Sequence, residues 1–258
     1  MKTMNKMKIN EIKALLNEMD DIPTIEQYFQ HESRIGAKKA IQSRINALMK
    51  IEQLKIEYHE KLTHESKYPN KIICGVDEVG RGPLAGEVVA CAVILNDGHY
   101  FLGLNDSKKL SKQKRAALNE ALLQQVDFGI GIATVEEIDK YNIYEATKMA
   151  MKRAISNLKQ TPEVLLIDAM KLDTDLEEVS IIKGDQNSIS IAAASVIAKE
   201  YRDQMMKEYS ELYPGYDFEH NAGYGTKHHL EGITRLGITP IHRKSFEPIK
   251  SMLNNQNN

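Results

Sequence analysis

Four short apolar runs confine residues 71–258 to one class of fold. The segments 72–76 (Ile-Ile-Cys-Gly-Val), 87–95, 128–133 and 164–167 (Val-Leu-Leu-Ile) read as buried strands, the second of them rich in β-branched residues. Helical spacing appears between and after them. Ser111 caps a helix through Gln124, another covers 143–158, and a nearly all-apolar helix runs from about residue 187 to 209. Two further helical stretches follow Thr226 and Ser245. Strands followed by helices imply an α/β sheet covered on its faces.

Residues 1–70 carry helical signals only. Ile12, Leu15, Leu16 and Met19 recur at helical spacing until Pro23 breaks the pattern. Ser33 then caps a longer helix on which Ile41, Ile45, Leu48, Ile51, Leu54, Tyr58 and Leu62 keep one apolar face, and Tyr68-Pro69-Asn70 ends it as a linker. The expected division is a helical extension over 1–70 and an α/β domain with C-terminal helices over 71–258.

Charge narrows the possible partners. The formal net charge is −2, and the extension holds 12 basic and 10 acidic side chains against 22 and 26 in the remainder. A polyanion must therefore be met by local patches or through metal ions rather than by a basic chain. With 42% hydrophobic and 27% charged residues, disordered, collagenous and disulfide-scaffold classes are excluded. No apolar run approaches the roughly 18 residues of a membrane span, and the opening MKTMNKMKIN lacks the apolar core of a secretory signal. Cys74 and Cys91 lie inside apolar runs and read as buried free thiols in a reducing, cytoplasmic setting.

Three acidic positions stand where regular structure gives way. Asp77-Glu78 closes the first strand, Asp168 follows the strand 164–167, and Asp185 precedes the apolar helix. Singly, each has a bland explanation, because Asp is common in turns and Asp185 is able to cap its helix. Together they point to a site, since an α/β sheet places ligands at its strand ends. Four carboxylates about 5 Å apart repel by roughly 3 kcal/mol per pair at an effective dielectric near 20, so such a cluster needs cations. Two divalent ions balance four negative charges. Oxygen-only ligation favours Mg²⁺ or Mn²⁺ over zinc, and the cysteines lie in separate strands.

The turn Gly80-Arg81-Gly82 beside Asp77-Glu78 is neither a P-loop, which needs Gly-Lys-Ser/Thr, nor a dinucleotide turn, because Gly80, Gly82 and Gly86 are spaced one residue too wide. Its glycines admit close backbone approach to a ligand and Arg81 adds a cation, the alternative being a tight turn with a solvated arginine. Five basic residues fall between 108 and 115, which suits phosphate contact or a solvated helix face. Tyr224 stands between glycines, where its ring is available to stack on a sugar or base or to pack on its own domain. Four histidines between 220 and 242 read as surface residues, with general acids or metal ligands as the alternatives.

GVDEVGRG (75–82), NDSKKL (105–110), LIDA (166–169), KGD (183–185) with IAAASVIAK (191–199), GYGT (223–226) and HRKSF (242–246) follow one another in an order that resembles the bacterial type 2 ribonuclease H family, ribonuclease HII. The resemblance spans about residues 71–250. It implies a ribonuclease H-like fold with a central mixed sheet flanked by helices. It further implies endonucleolytic cleavage of the RNA strand of RNA–DNA hybrids, and cleavage 5′ of single ribonucleotides in duplex DNA, leaving 3′-hydroxyl and 5′-phosphate ends. By the same resemblance, Asp77, Glu78, Asp168 and Asp185 are catalytic and hold two divalent ions. Gly80, Arg81 and Gly82 sense the ribose 2′-hydroxyl, Tyr224 stacks across the RNA–DNA junction, and Lys108 and Lys109 contact phosphate. One ion activates water and the other stabilises the leaving 3′-oxygen. The implied partners are hybrid and ribonucleotide-containing duplexes, met by a monomer without a membrane. Residues 1–70 lie outside the common core, as packing or as duplex contacts through Lys38, Lys39 and Arg44. Asn221-Ala222 is a local departure from the family pattern. Two rivals remain: a nuclease limited to long hybrids, opposed by the Gly-Arg-Gly turn and Tyr224, and a hybrid-binding module without turnover, opposed by the full set of acidic positions.

Overall fold

The computed structural model describes residues 7–96 and 98–256. They cluster into two compact units, Met1–His59 and Glu60–Asn258. In the first, α1 (Ile9–Glu18), α2 (Ile22–Tyr28) and α3 (Ile35–Lys61) bury Ile12, Leu16, Ile25, Phe29, Ala37 and Ile45 together. Pro23 begins a helix rather than merely ending one. It sits in the first turn of α2, which Asp21 caps by accepting from the Thr24 N–H at 2.9 Å. The guanidinium of Arg44 donates from Nε and Nη2 to the Met19 carbonyl at 3.0 and 2.8 Å, closing the end of α1. That contact withdraws Arg44 from the basic set, while Lys38 and Lys39 stay exposed. On α3 the expected stripe holds at Ile45 and Tyr58, but Ile51 is exposed.

The second unit is built on a five-stranded mixed sheet. Its strands are β1 (Ile73–Val79), β2 (Val88–Ile94), β3 (Asp127–Ala133), β4 (Val164–Asp168) and β5 (Glu177–Ile181), in the order β3-β2-β1-β4-β5. β1, β2 and β3 are antiparallel neighbours, whereas β4 runs parallel to β1 and to β5. β5 (Glu-Glu-Val-Ser-Ile) escapes a hydrophobicity reading because it is a polar edge strand, guarded by the Glu177–Lys71 ion pair.

One face of the sheet presents Val76, Ala90, Ala92, Leu165 and Ile167 to Ala146, Ala150, Met151 and Ala154 of α5 (Val135–Ser156). Asn142 interrupts that helix at φ 67, so the spacing visible in the sequence marks only its second half. The opposite face carries α7 (Ile189–Leu212), on which every residue from 189 to 198 is buried. Close approach of α7 requires Gly75, because a Cβ there would stand 2.1 Å from the Ser190 carbonyl carbon. Short α6 (Gly184–Asn187) precedes α7, whose N-cap is Ser188 rather than Asp185. Glu65 also closes this corner, Oε1 accepting from Ser188 Oγ at 2.6 Å, Ser190 N–H at 3.0 Å and Ser190 Oγ at 2.7 Å.

Helix α4 (Lys112–Gln125) starts at Ser111, whose hydroxyl accepts from the Lys114 N–H. The chain ends with α8 (Phe218–Asn221), α9 (Lys227–Leu236, capped by Thr226) and α10 (Ile249–Gln256). They enclose a second core around Leu84, Met206, Tyr216, Phe218, Ile233 and Ile249. Cys74 and Cys91 are buried and free, and burial pushes the Cys74 thiol up to about 12. Among the described residues no helix is long and apolar enough to cross a membrane.

Candidate active site

Strand register assembles the acidic centre. The parallel pairing sets Val76 beside Ile167, and one step further along both strands brings Asp77 alongside Asp168. Carboxylate oxygens of Asp77, Glu78 and Asp168 all lie within 4.8 Å of one another. Burial, followed by the charges of Glu78 and Asp168, raises the Asp77 carboxyl well above its ordinary range. Hydrogen bonds from the Ser195 side chain and the Glu78 N–H (2.7 Å) oppose that shift without cancelling it. Glu78 is also raised, mainly by burial, with Arg81 at 3.5 Å pulling it back. Its Oε2 is buried without a hydrogen-bond partner. Asp168 Oδ1 accepts from the Gly184 N–H at 2.6 Å, tying β4 to the α6 turn.

Asp185 lies on that turn, outside the tight group of three. Burial lifts it to about 6, assisted by the charges of Asp106 and Asp168 and by a hydrogen bond shared with Asp106, while Lys108 opposes the shift. Asp106 is itself buried, with Oδ1 accepting from the Lys108 N–H at 2.9 Å. Lys108 is exposed, and its charge favours the ionised forms of Glu78 and Asp185. Lys109 donates to Gln186 Oε1 at 2.8 Å. Arg115, at the end of the basic run, is turned inward and paired with Glu200 at 2.5 Å and Asp203 at 3.1 Å.

Next to the carboxylates, the Gly80–Gly82 turn rests on a buried arginine. Arg243 donates to the carbonyls of Gly80 (2.5 Å), Arg81 (2.9 Å) and Gly86 (2.9 and 2.6 Å), and Gly80 takes φ 93 to allow it. Peptide planarity fixes the consequence: with the Gly80 and Arg81 carbonyls held inward, the Arg81 and Gly82 N–H groups point the other way. Both residues are exposed, so this surface offers two aligned donors. Arg202, also buried, donates to Glu87, Ala222 and Ala85 carbonyls at 3.0, 2.8 and 3.0 Å, fastening the 85–87 turn to the loop before Tyr224. Tyr224 is 47% exposed. A Cβ on Gly82 would lie 3.3 Å from its Cε1, so ring and turn form one surface.

An all-oxygen donor set, a carboxylate raised by its neighbours and an orphaned buried Glu78 oxygen fit a hard divalent cation at Asp77, Glu78 and Asp168. A family model for ribonuclease HII matches residues 74–249, and one for the ribonuclease HII N-terminal domain matches residues 8–69. The ribonuclease HII of Macrococcus caseolyticus is 58% identical over 254 residues, covering 98% of this chain and 96% of that protein. The chain belongs to the ribonuclease HII family. Membership makes it a ribonuclease H, a metal-dependent endoribonuclease. A Staphylococcus aureus ribonuclease HII is 55% identical, covering 96% of this chain and 99% of its own. Among solved structures, ribonuclease H2 of Pyrococcus horikoshii superposes with a TM-score of 0.61 at 23% identity, covering 71% of this chain and 97% of its own, which shows the shared ribonuclease H-like fold.

Several residues at and around this centre have places in the structure that the sequence alone does not show. Of the four histidines read as surface residues, His220 and His228 are exposed, but His229 and His242 are fully buried. Ser195, which bonds Asp77, also stands 3.0 Å from Ser107 Oγ. A serine inside an otherwise apolar helix is itself the signal, because a buried hydroxyl requires a partner. Asp106 lay hidden beside the lysines of the NDSKKL segment. Asn221, the departure from the family pattern, is buried and structural, donating to the Tyr216 carbonyl at 2.7 Å and accepting from the Gly223 N–H at 2.8 Å.

Proposed function

We propose that this enzyme hydrolyses the RNA strand of RNA–DNA hybrids and cuts 5′ of single ribonucleotides in duplex DNA, leaving 3′-hydroxyl and 5′-phosphate ends. The observation that carries the reading is the adjacency of an acidic pocket, an outward-facing pair of turn amides and an available tyrosine ring. Only ribose offers a 2′-hydroxyl, and the Arg81 and Gly82 N–H groups are donors suited to it. Tyr224 stacks on the neighbouring deoxyribose, so ribose and deoxyribose are read on adjacent surfaces. Arg81, Lys108 and Lys109 meet phosphates, giving affinity that falls with salt.

Asp77, Glu78, Asp168 and Asp185 hold two divalent ions, Mg²⁺ or Mn²⁺, which when bound supply an activated water and neutralise charge on the leaving oxygen. The protein's own contribution is positional. Ser195 and the Glu78 amide orient Asp77, and the Gly184 amide orients Asp168. Because every proposed group comes from one chain, a monomer suffices, and the buried free thiols support a reducing, cytoplasmic setting.

The test is incubation of the full chain with a duplex containing one ribonucleotide, in Mg²⁺, in Mn²⁺ and with chelator. The expected result is a single cut 5′ of the ribonucleotide with either ion and none with chelator. Cleavage of long hybrids alone would favour the narrower nuclease, and binding without cleavage would favour a module without turnover.

A further inference from the structure

Beneath the Tyr224 loop lies a pair of imidazoles that the proposed chemistry does not use. His229 on α9 and His242 after it are both fully buried, with Nε2 facing Nε2 at 3.0 Å. Their surroundings determine where each proton sits. His229 Nδ1 lies 2.8 Å from the Tyr224 carbonyl, which only accepts, so Nδ1 carries a proton. His242 Nδ1 receives the Thr239 peptide N–H at 2.8 Å, which only donates, so Nδ1 is bare and the proton is on Nε2. The His242 Nε2–H therefore donates to the His229 Nε2 lone pair. One directed chain results: Thr239 N–H to His242, His242 to His229, His229 to the Tyr224 carbonyl.

The unbroken chain needs both rings neutral, since an imidazolium has no acceptor nitrogen. Burial enforces this, holding His242 down to about 4 and His229 also below its ordinary value. The rings of Tyr216 and Phe218 enclose the pair, with centroids 5.1 to 6.3 Å away. At the far end of the chain, the residue whose carbonyl is held is the one whose ring lies against Gly82.

We propose that the His242–His229 relay fixes the Tyr224 loop against the Gly80–Gly82 turn, making both histidines positioning residues for discrimination of a single ribonucleotide. This rests on the junction-reading role given to Tyr224 above. The relay acts through hydrogen-bond direction rather than bulk, and that separates it from a purely structural role.

Side-chain amides isolate the direction. At position 229, Asn places an N–H near Nδ1 and keeps the bond to the Tyr224 carbonyl; it gives up the acceptor for His242, which costs stability but not the anchor, because an amide has no tautomer for His242 to set. Gln reaches the Nε2 side and loses the anchor. At position 242 the preference inverts: Gln keeps the donor toward His229, and Asn loses it. The experiment compares kcat/KM of wild type, H229N, H229Q, H242N and H242Q on a one-ribonucleotide duplex and on a long hybrid, both in Mg²⁺. The ratio of the two values is expected to stay within about twofold of wild type in H229N and H242Q, and to fall about tenfold in H229Q and H242N, the size of one lost hydrogen bond. The contrast within either position suffices if a variant at the other fails to fold. Ratios that move together in Asn and Gln at both positions overturn the relay. A wild type that cuts the long hybrid but not the one-ribonucleotide duplex overturns instead the junction reading beneath it.

Discussion

Replacing Asp77 by Asn is expected to reduce cleavage on the order of a thousandfold, the upper range for deleting one preorganised charge contact at a reacting centre, while duplex binding persists. The same variant is expected to melt at a higher temperature than wild type in metal-free buffer. Both follow from one geometry. Asp77 is buried beside Glu78 and Asp168, and its raised carboxyl means that ionising it costs the metal-free fold stability. The folded state binds the Asp77 proton more tightly than the unfolded chain, so metal-free stability declines as pH rises through the unfolded carboxylate range toward the folded value. Asn removes the charge at nearly the same volume, and its carbonyl oxygen is still able to accept the Glu78 N–H. The proposed duplex contacts, the lysines, Arg81 and the turn, are left in place by the substitution. Fluorescence anisotropy with labelled duplex, cleavage assays and thermal melting in chelator measure the three quantities. Wild-type turnover would contradict a ligand role, and a lower metal-free melting temperature would contradict the repulsion.

Tyr224→Ala is expected to lower cleavage at a single ribonucleotide at least about tenfold more than cleavage of a long hybrid, because stacking on one aromatic ring is worth roughly 1–3 kcal/mol. The substitution is selective for a structural reason. The loop is anchored through backbone: the Tyr224 carbonyl on His229, the Ala222 carbonyl on Arg202, and the Gly223 N–H on Asn221. Alanine keeps these anchors and deletes only the exposed ring beside Gly82. A long hybrid offers many equivalent positions with no junction to detect, so its cleavage loses less. Equal losses on both substrates, measured as kcat/KM, would remove the junction role.

What the sequence discloses about this molecule follows a physical division. Strands β2 and β4 are legible because they are buried nearly throughout and therefore continuously apolar, β1 and β3 because each keeps a short apolar run despite half-buried positions, and likewise the helices whose caps are Ser111 and Thr226. β5 is not, since an edge strand has no such run. The break at Asn142 hides the first half of α5, and Pro23 hides α2, because proline suits the first turn of a helix as well as the stretch after its end. The acidic positions were legible because carboxylates at strand ends are conspicuous against apolar neighbours. Register brings Asp77, Glu78 and Asp168 together, while Asp185 sits on the adjoining turn against Asp106. Asp106, Ser195, Arg202 and Arg243 were obscure for the opposite reason. Their roles are hydrogen bonds to groups distant in sequence, and residue type alone does not reveal a long-range partner. The two buried histidines show this most clearly, being indistinguishable in sequence from the exposed His220 and His228.

The claim on which the rest depends is that these carboxylates share divalent ions. Calorimetric titration of Mn²⁺ into wild type and Asp168→Asn, at pH 6 and pH 8 in buffers of different ionisation enthalpy, measures affinity and displaced protons together. Wild type is expected to release protons on binding, more at pH 6 than at pH 8, because Asp185 titrates near 6 and ligand carboxylates must be ionised. Asp168→Asn is expected to bind at least about tenfold more weakly, as loss of support at a metal site does. Equal affinity in the variant, or binding with no proton displaced at pH 6, would contradict a shared carboxylate centre.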